Sequence, residues 1–140
     1  MRSPWLRGLA AVVMGLIVAF VVTFAVEWVN TLMYPFPPGT DPHNPMAMKA
    51  AMAALPKAAL VVVLVGWFGS ALLGTWMATR IAQGHPAPAV VLGALLLAAA
   101  VGNLLVFPHP LWFWGAAFLL YPTATWLGAR LGGAVVNRPG

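Results

Sequence analysis

The sequence predicts an all-α membrane protein built as a bundle of four transmembrane helices, and three observations carry that prediction. Of its 140 residues, 62% are hydrophobic and only 6% are charged. A soluble domain carries roughly 25% charged residues, so this chain cannot clothe a water-exposed surface and most of it must be solvated by lipid. Four stretches, 8–26, 58–79, 87–107 and 111–129, contain no Asp, Glu, Lys or Arg. At about 1.5 Å per residue each reaches about 30 Å, the thickness of a hydrocarbon core. Ala, Gly and Leu abound in these stretches without a period of two, which favours helices over a β-barrel.

The first stretch has some features of a secretory leader. Arg2 and Arg7 precede an apolar run, and Thr23-Phe24-Ala25 offers small residues for cleavage. The apolar character continues to Met33, however, too far for a leader core, so the segment is read as the first transmembrane helix. The loop that follows, 35–57, opens with Pro35-Phe36-Pro37-Pro38-Gly39-Thr40-Asp41-Pro42, in which Pro fixes φ and Gly permits positive φ. Asn44 is placed to cap a short helix over 46–55, with Pro45 at its first position. Met48, Met52 and Leu55 share one face of it, which predicts a helix resting on the membrane surface. Pro56 then starts the second transmembrane helix. The third ends at Pro108-His109-Pro110, and Pro122 should kink the fourth.

Orientation follows from the charges. Arg2, Arg7, Arg80, Arg130 and Arg138 fall on one side of a four-span chain, and Lys49, Lys57 and Asp41 on the other. The excess of basic residues places both termini in the cytoplasm of a bacterial inner membrane, with the loop 35–57 and the turn 108–110 outside. Trp5, Trp76 and Trp126 near one boundary, and Trp28, Tyr34, Trp112 and Trp114 near the other, fit interfacial aromatic belts. The net charge of +5 is scattered singly at helix ends, so it reads as a topology signal and predicts no nucleic-acid partner. The chain has no cysteine, which excludes disulfides, thiolate metal sites and cysteine nucleophiles.

An internal duplication is also predicted. Asn30-Thr31-Leu32-Met33-Tyr34-Pro35-Phe36-Pro37 and Asn103-Leu104-Leu105-Val106-Phe107-Pro108-His109-Pro110 both read Asn, three residues, aromatic, Pro, any residue, Pro. Thr75-Trp76-Met77-Ala78-Thr79-Arg80-Ile81 pairs in the same way with Thr125-Trp126-Leu127-Gly128-Ala129-Arg130-Leu131. The single membrane domain, 1–140, thus divides into two parallel helical-hairpin repeats, 5–83 and 86–133, related by an axis along the membrane normal. Rows of small residues should let the helices approach closely. They are Ala11, Gly15, Ala19 and Thr23 on the first helix, and Gly66, Ser70, Gly74 and Ala78 on the second. Ala94, Ala98 and Gly102 follow on the third, and Ala124, Gly128 and Gly132 on the fourth.

Glu27 extends the first row and is the one carboxylate inside an apolar stretch. A charge there is costly unless paired, so it marks a candidate site about 10 Å below the outer boundary. Asn30, Asn103, His109 and Lys57 are its expected companions. A structural reading, in which Glu27 merely pins helices together, competes with proton or cation handling and with partner binding. His109 and His85 read first as polar turn residues, although imidazole can titrate near neutral pH. His43, Met46, Met48 and Met52 form a second constellation, since thioethers and imidazole suit Cu(I); methionines on an interfacial helix otherwise just contact lipid. No catalytic constellation and no cofactor motif stands out, and no histidine lies within a span to ligate heme.

Glu27 with Thr31-Leu32-Met33 resembles the first helix of the small multidrug resistance transporters over about ten residues. The long Pro-rich loop and the Pro-x-Pro turns depart from that family, as does the third helix. Pro108-His109-Pro110-Leu111-Trp112-Phe113 is similar to a group of bacterial four-helix inner-membrane proteins, a resemblance that implies no activity. The expectation is a non-enzymatic accessory or interaction protein, acting through an outward polar cluster around Glu27 on another membrane protein or on its own copies. The alternative is a small oligomeric transporter or channel for protons or cations that uses Glu27, and copper(I) binding by the outer loop is a lesser one.

Overall fold

The structure, a computed structural model, describes residues 3–136, so Arg2 and Arg138, assigned above to the cytoplasmic side, lie outside the described residues. The described chain is all-helical: α1 (Pro4–Met33), α2 (Pro45–Ala54), α3 (Lys57–Ile81), α4 (Ala87–Val106) and α5 (Leu111–Val136). Three of these, α1, α3 and α4, are long and apolar enough to cross a membrane. The 26 residues of α5 give it the length as well, but Trp112, Trp114, Tyr121, Pro122 and Trp126 make it less apolar. With 30 residues, α1 is about 45 Å long and outreaches a hydrocarbon core.

Helix α3 is the centre of the bundle. It packs closely against α1 and α5 and more loosely against α4, while α1 and α5 do not approach each other. The small-residue rows explain the close contacts. Ala11, Gly15 and Ala19 are buried on α1, as are Gly66, Ser70, Gly74 and Ala78 on α3 and Ala124, Gly128 and Gly132 on α5. At the α1–α3 crossing, a Cβ on Gly15 would fall 2.6 Å from the Gly74 carbonyl oxygen, and one on Gly74 would fall 2.7 Å from the Gly15 carbonyl oxygen. Neither backbone can yield, so only glycine fits on both sides.

The row expected on α4 does not pack. Ala94, Ala98 and Gly102 are exposed, and a Cβ on Gly102 would meet nothing within 4 Å. The helix instead buries Ala89, Leu92, Gly93, Leu96, Ala100 and Leu104. The bulk of its three leucines fills the groove beside α3 and holds the α4 backbone away from it. Cavities consequently open along α4.

The outward surface of the bundle is apolar. Leu9, Val13, Ile17, Phe20, Phe24, Trp28 and Leu32 on α1 are all exposed. A contiguous band of this kind on a long helix suits lipid rather than water.

The paired motifs adopt matching local geometry. Helix α1 ends with the Tyr34 N–H donating to the Asn30 carbonyl at 2.8 Å, and α4 with the Phe107 N–H donating to the Asn103 carbonyl at 2.9 Å. The Arg80 guanidinium stacks 5.1 Å from the Trp76 ring, and that of Arg130 stacks 5.2 Å from Trp126. The hairpins as wholes pack differently, α1 on α3 tightly and α4 on α5 loosely.

The capping prediction for α2 holds at its N-terminus. The Asn44 side-chain oxygen accepts from the N–H groups of Met46 at 3.0 Å and Ala47 at 3.2 Å, with Pro45 in the first turn. Helix α5 runs through Pro122 without a break. Proline has no N–H to offer the Phe118 carbonyl, so one rung of the helix ladder is missing there.

Candidate functional site

Glu27 stands near the C-terminal end of α1, one turn beyond Thr23 on the face that carries the small-residue row. Asn30 follows on the next turn of α1, and Asn103 occupies the matching last turn of α4. All three, with His109 from the α4–α5 turn, line one chamber of about 280 Å³. Its apolar walls come from Trp67 and Leu60 of α3, from Phe36 and Phe107, and from Met48, Met52 and Leu55. The face of α2 that the sequence assigns to a membrane surface therefore covers the chamber like a lid. Met48, Met52 and Leu55 share one face of α2, as the sequence predicts.

A second cavity of about 180 Å³ lies deeper. Glu27, Trp67 and Asn103 line it as well, with Thr23, Ser70 and Tyr121. Glu27 and Asn103 thus line both cavities, and the second also opens at the bundle surface beside the exposed Phe20 and Ala99. Beyond this second cavity the bundle closes. Leu92 is fully buried, and it reaches within 2.5 Å of a Cβ built on Gly15, at the level where Gly15 meets Gly74 and Ala78. No room for a continuous path remains between α1, α3 and α4 at that depth.

The polar groups of the site are incompletely matched within the chain. The Asn30 side-chain oxygen is buried and has no hydrogen-bond partner among the described residues. A group in that state costs roughly 1–3 kcal/mol unless something donates to it. The Glu27 side chain is exposed on the cavity walls, and neither Asn103, His109 nor any other described residue donates to its carboxylate. The hydroxyls nearby are engaged with their own helices: Thr31 donates to the Glu27 carbonyl at 2.9 Å, and Ser70 to the Trp67 carbonyl at 2.9 Å.

His109 is held more firmly. Its Nδ1 lies 2.9 Å from the Phe107 carbonyl, and its ring stacks on Phe113 with centroids 4.5 Å apart. In the neutral ring Nδ1–H donates to that carbonyl, which leaves Nε2 as an acceptor. Partial burial holds the imidazole below its ordinary value, against a smaller upward pull from the Phe107 carbonyl.

Lys57, expected beside Glu27, is placed elsewhere. It borders a neighbouring cleft of about 400 Å³ with Lys49, His109 and Trp112. As the first residue of α3 its Cα–Cβ bond tilts toward the helix N-terminus and the end of the bundle. Of the four residues proposed to hold copper, only Met48 and Met52 line the chamber. Met46 is 81% exposed, and His43, also exposed, donates its backbone N–H to Asp41 at 2.9 Å. Among the described residues no three His, Cys, Asp or Glu side chains cluster as metal ligands.

Sequence reasoning missed Trp67, which lines both cavities, and Tyr121, which lines the second beside it. Their rings lie 5.9 Å apart, and Tyr121 is 5% exposed. A phenol inside an apolar stretch next to Pro122 was the available signal, because a buried tyrosine hydroxyl needs a polar neighbour. Set against protein-family models, curated proteins and solved structures, the chain matches none of them.

Proposed function

We propose that this chain is a four-span, two-repeat protein of a bacterial inner membrane with both termini in the cytoplasm, and that it works without catalysis, by binding a partner or ligand in the outward chamber at Glu27. One observation carries this reading. Glu27 and Asn30 line one chamber, and neither the Glu27 carboxylate nor the buried Asn30 oxygen has a donor among the described residues. A group in the chamber that donates hydrogen bonds or carries positive charge would satisfy the Glu27 carboxylate.

The closed packing of Gly15, Gly74 and Leu92 beyond the second cavity favours binding over conduction through a single chain. The lid-like position of α2 gives the chamber a wall that can move without disturbing the α1–α3 and α3–α5 contacts.

A photo-crosslinking amino acid in intact membranes tests the proposal. At Met52, on the chamber wall, it should give a discrete adduct that Glu27→Gln abolishes. At Met46, which is turned away, it should not. The same adduct from both positions, or one indifferent to Glu27→Gln, would remove the chamber as the binding site.

A further inference from the structure

The two ends of the bundle differ in charge. Both acidic residues of the sequence, Glu27 and Asp41, lie toward the end covered by α2. The opposite end presents Arg7, Arg80 and Arg130 with no Asp or Glu. Arg80 and Arg130 stack on tryptophans of their own helices. Arg7 is held differently, by a hydrogen bond from its guanidinium to the side-chain oxygen of Gln83 in the α3–α4 turn. Gln83 adopts a left-handed φ of 56°, followed by Gly84 at 88°, and the Gly84 N–H closes the turn on the Thr79 carbonyl at 2.9 Å. A non-glycine residue in that region is uncommon, and here it carries the side chain that fixes Arg7.

Beside Arg7 opens a cavity of about 510 Å³ between the start of α1 and the start of α4. Pro4, Trp5 and Gly8 form one wall, and His85 and Pro88 the other. His85 Nδ1 accepts from the Ala87 N–H at 3.3 Å, so in the neutral ring Nε2 carries the proton and is left to donate. Gln83 takes one of the five guanidinium N–H groups of Arg7 and leaves a planar fork suited to two oxygens of one anion. The remaining walls are apolar, and Trp5 is 69% exposed at the end of the apolar band on α1.

We propose that this cavity seats the phosphodiester headgroup of an anionic membrane lipid. Arg7 and His85 donate to the phosphate oxygens, and the glycerol and first acyl carbons lie along Pro4, Pro88 and Trp5. A basic pocket between helices at the cytoplasmic boundary is the setting in which such headgroups bind. The apolar walls favour a lipid over free phosphate, which would leave them wet. The site is separate from the Glu27 chamber and does not depend on what binds there.

Native mass spectrometry of the purified chain, with lipid added back to mild detergent, tests the proposal. The intact protein should retain one dioleoyl phosphatidylglycerol per chain in preference to dioleoyl phosphatidylcholine. Arg7→Gln should lower that retention about tenfold, the effect of losing one charge-assisted contact. Arg130→Gln should leave it unchanged. Gly8→Leu keeps every charge and adds bulk where the nearest atom to a built Cβ, Pro88 Cγ, is 4.0 Å away. It should lower retention as Arg7→Gln does, and it carries the test if Arg7→Gln fails to fold. Equal losses in Arg7→Gln and Arg130→Gln would overturn the proposal in favour of a diffuse surface field. Equal retention of the choline lipid, or displacement by glycerol 1-phosphate at matched concentration, would overturn the lipid assignment.

Discussion

Replacing Gly74 with alanine perturbs the α1–α3 crossing, where two glycine backbones face each other. The new Cβ would lie 2.7 Å from the Gly15 carbonyl oxygen and 3.1 Å from the Ala19 Cβ, where ordinary contacts begin near 3.4 Å. The oxygen belongs to a helix backbone and cannot swing aside, so α1 and α3 must separate by more than half an ångström. A gap of that size forfeits about a quarter or more of each contact's attraction along the seam. Overpacking of this kind costs about 1–3 kcal/mol. Alanine also gains about 0.5–1 kcal/mol over glycine in a helix interior, and Gly102→Ala supplies that gain alone, because a Cβ at Gly102 meets nothing within 4 Å. The difference between the two variants therefore isolates the packing cost. Unfolding in mild detergent by titration with sodium dodecyl sulfate, followed by tryptophan emission, should place Gly74→Ala below the parent and Gly102→Ala at or above it. Coincident transitions for the two variants would refute the glycine crossing.

Three further outcomes follow from the same geometry. Asn44→Ala removes the oxygen that accepts from Met46 and Ala47; it should cost α2 about 1 kcal/mol and speed amide exchange in α2 while leaving α3 protected. His109 is held below the usual imidazole value of 6.5, so its contribution to stability is complete above that pH and is lost as the pH falls through it toward the lowered value. Unfolding scans between pH 8 and pH 5 in steps of about one unit should show a decline that His109→Gln reduces. Cysteines at Thr40 and His85, in a chain that has none of its own, should react with an impermeant thiol reagent from opposite sides of the membrane, Thr40 from outside.

The parts of the fold legible in the sequence were those set by local chemistry. Charge-free stretches located the long helices, and the Asn44-Pro45 pair located α2 to within a residue. Small-residue spacing identified the packed faces of α1, α3 and α5, since glycine and alanine there have a steric purpose. The same spacing failed on α4 because alanine is abundant in any apolar helix, and the leucines Leu92, Leu96 and Leu104 took the buried face instead. Glu27, Asn30, Asn103 and His109 converge because matching helix ends meet at one depth. Depth follows from counting residues along a helix, whereas the direction of Lys57 around α3 depends on how the helices are rotated against one another. The chamber itself was invisible for a related reason. It exists because α4 stands off from α3 and α2 folds back over the gap, and neither is encoded in the period of a single helix.

Thiol accessibility at Asn103 tests the outward chamber most directly. Asn103→Cys in intact cells should react with a membrane-impermeant thiol reagent added outside, and Leu92→Cys, fully buried in the closed packing below, should not. In inside-out vesicles both should be silent. Reaction of Asn103→Cys from the cytoplasmic side alone would contradict the account, as would reaction of Leu92→Cys at a comparable rate, because either result would mean that the site at Glu27 does not open outward above a sealed bundle.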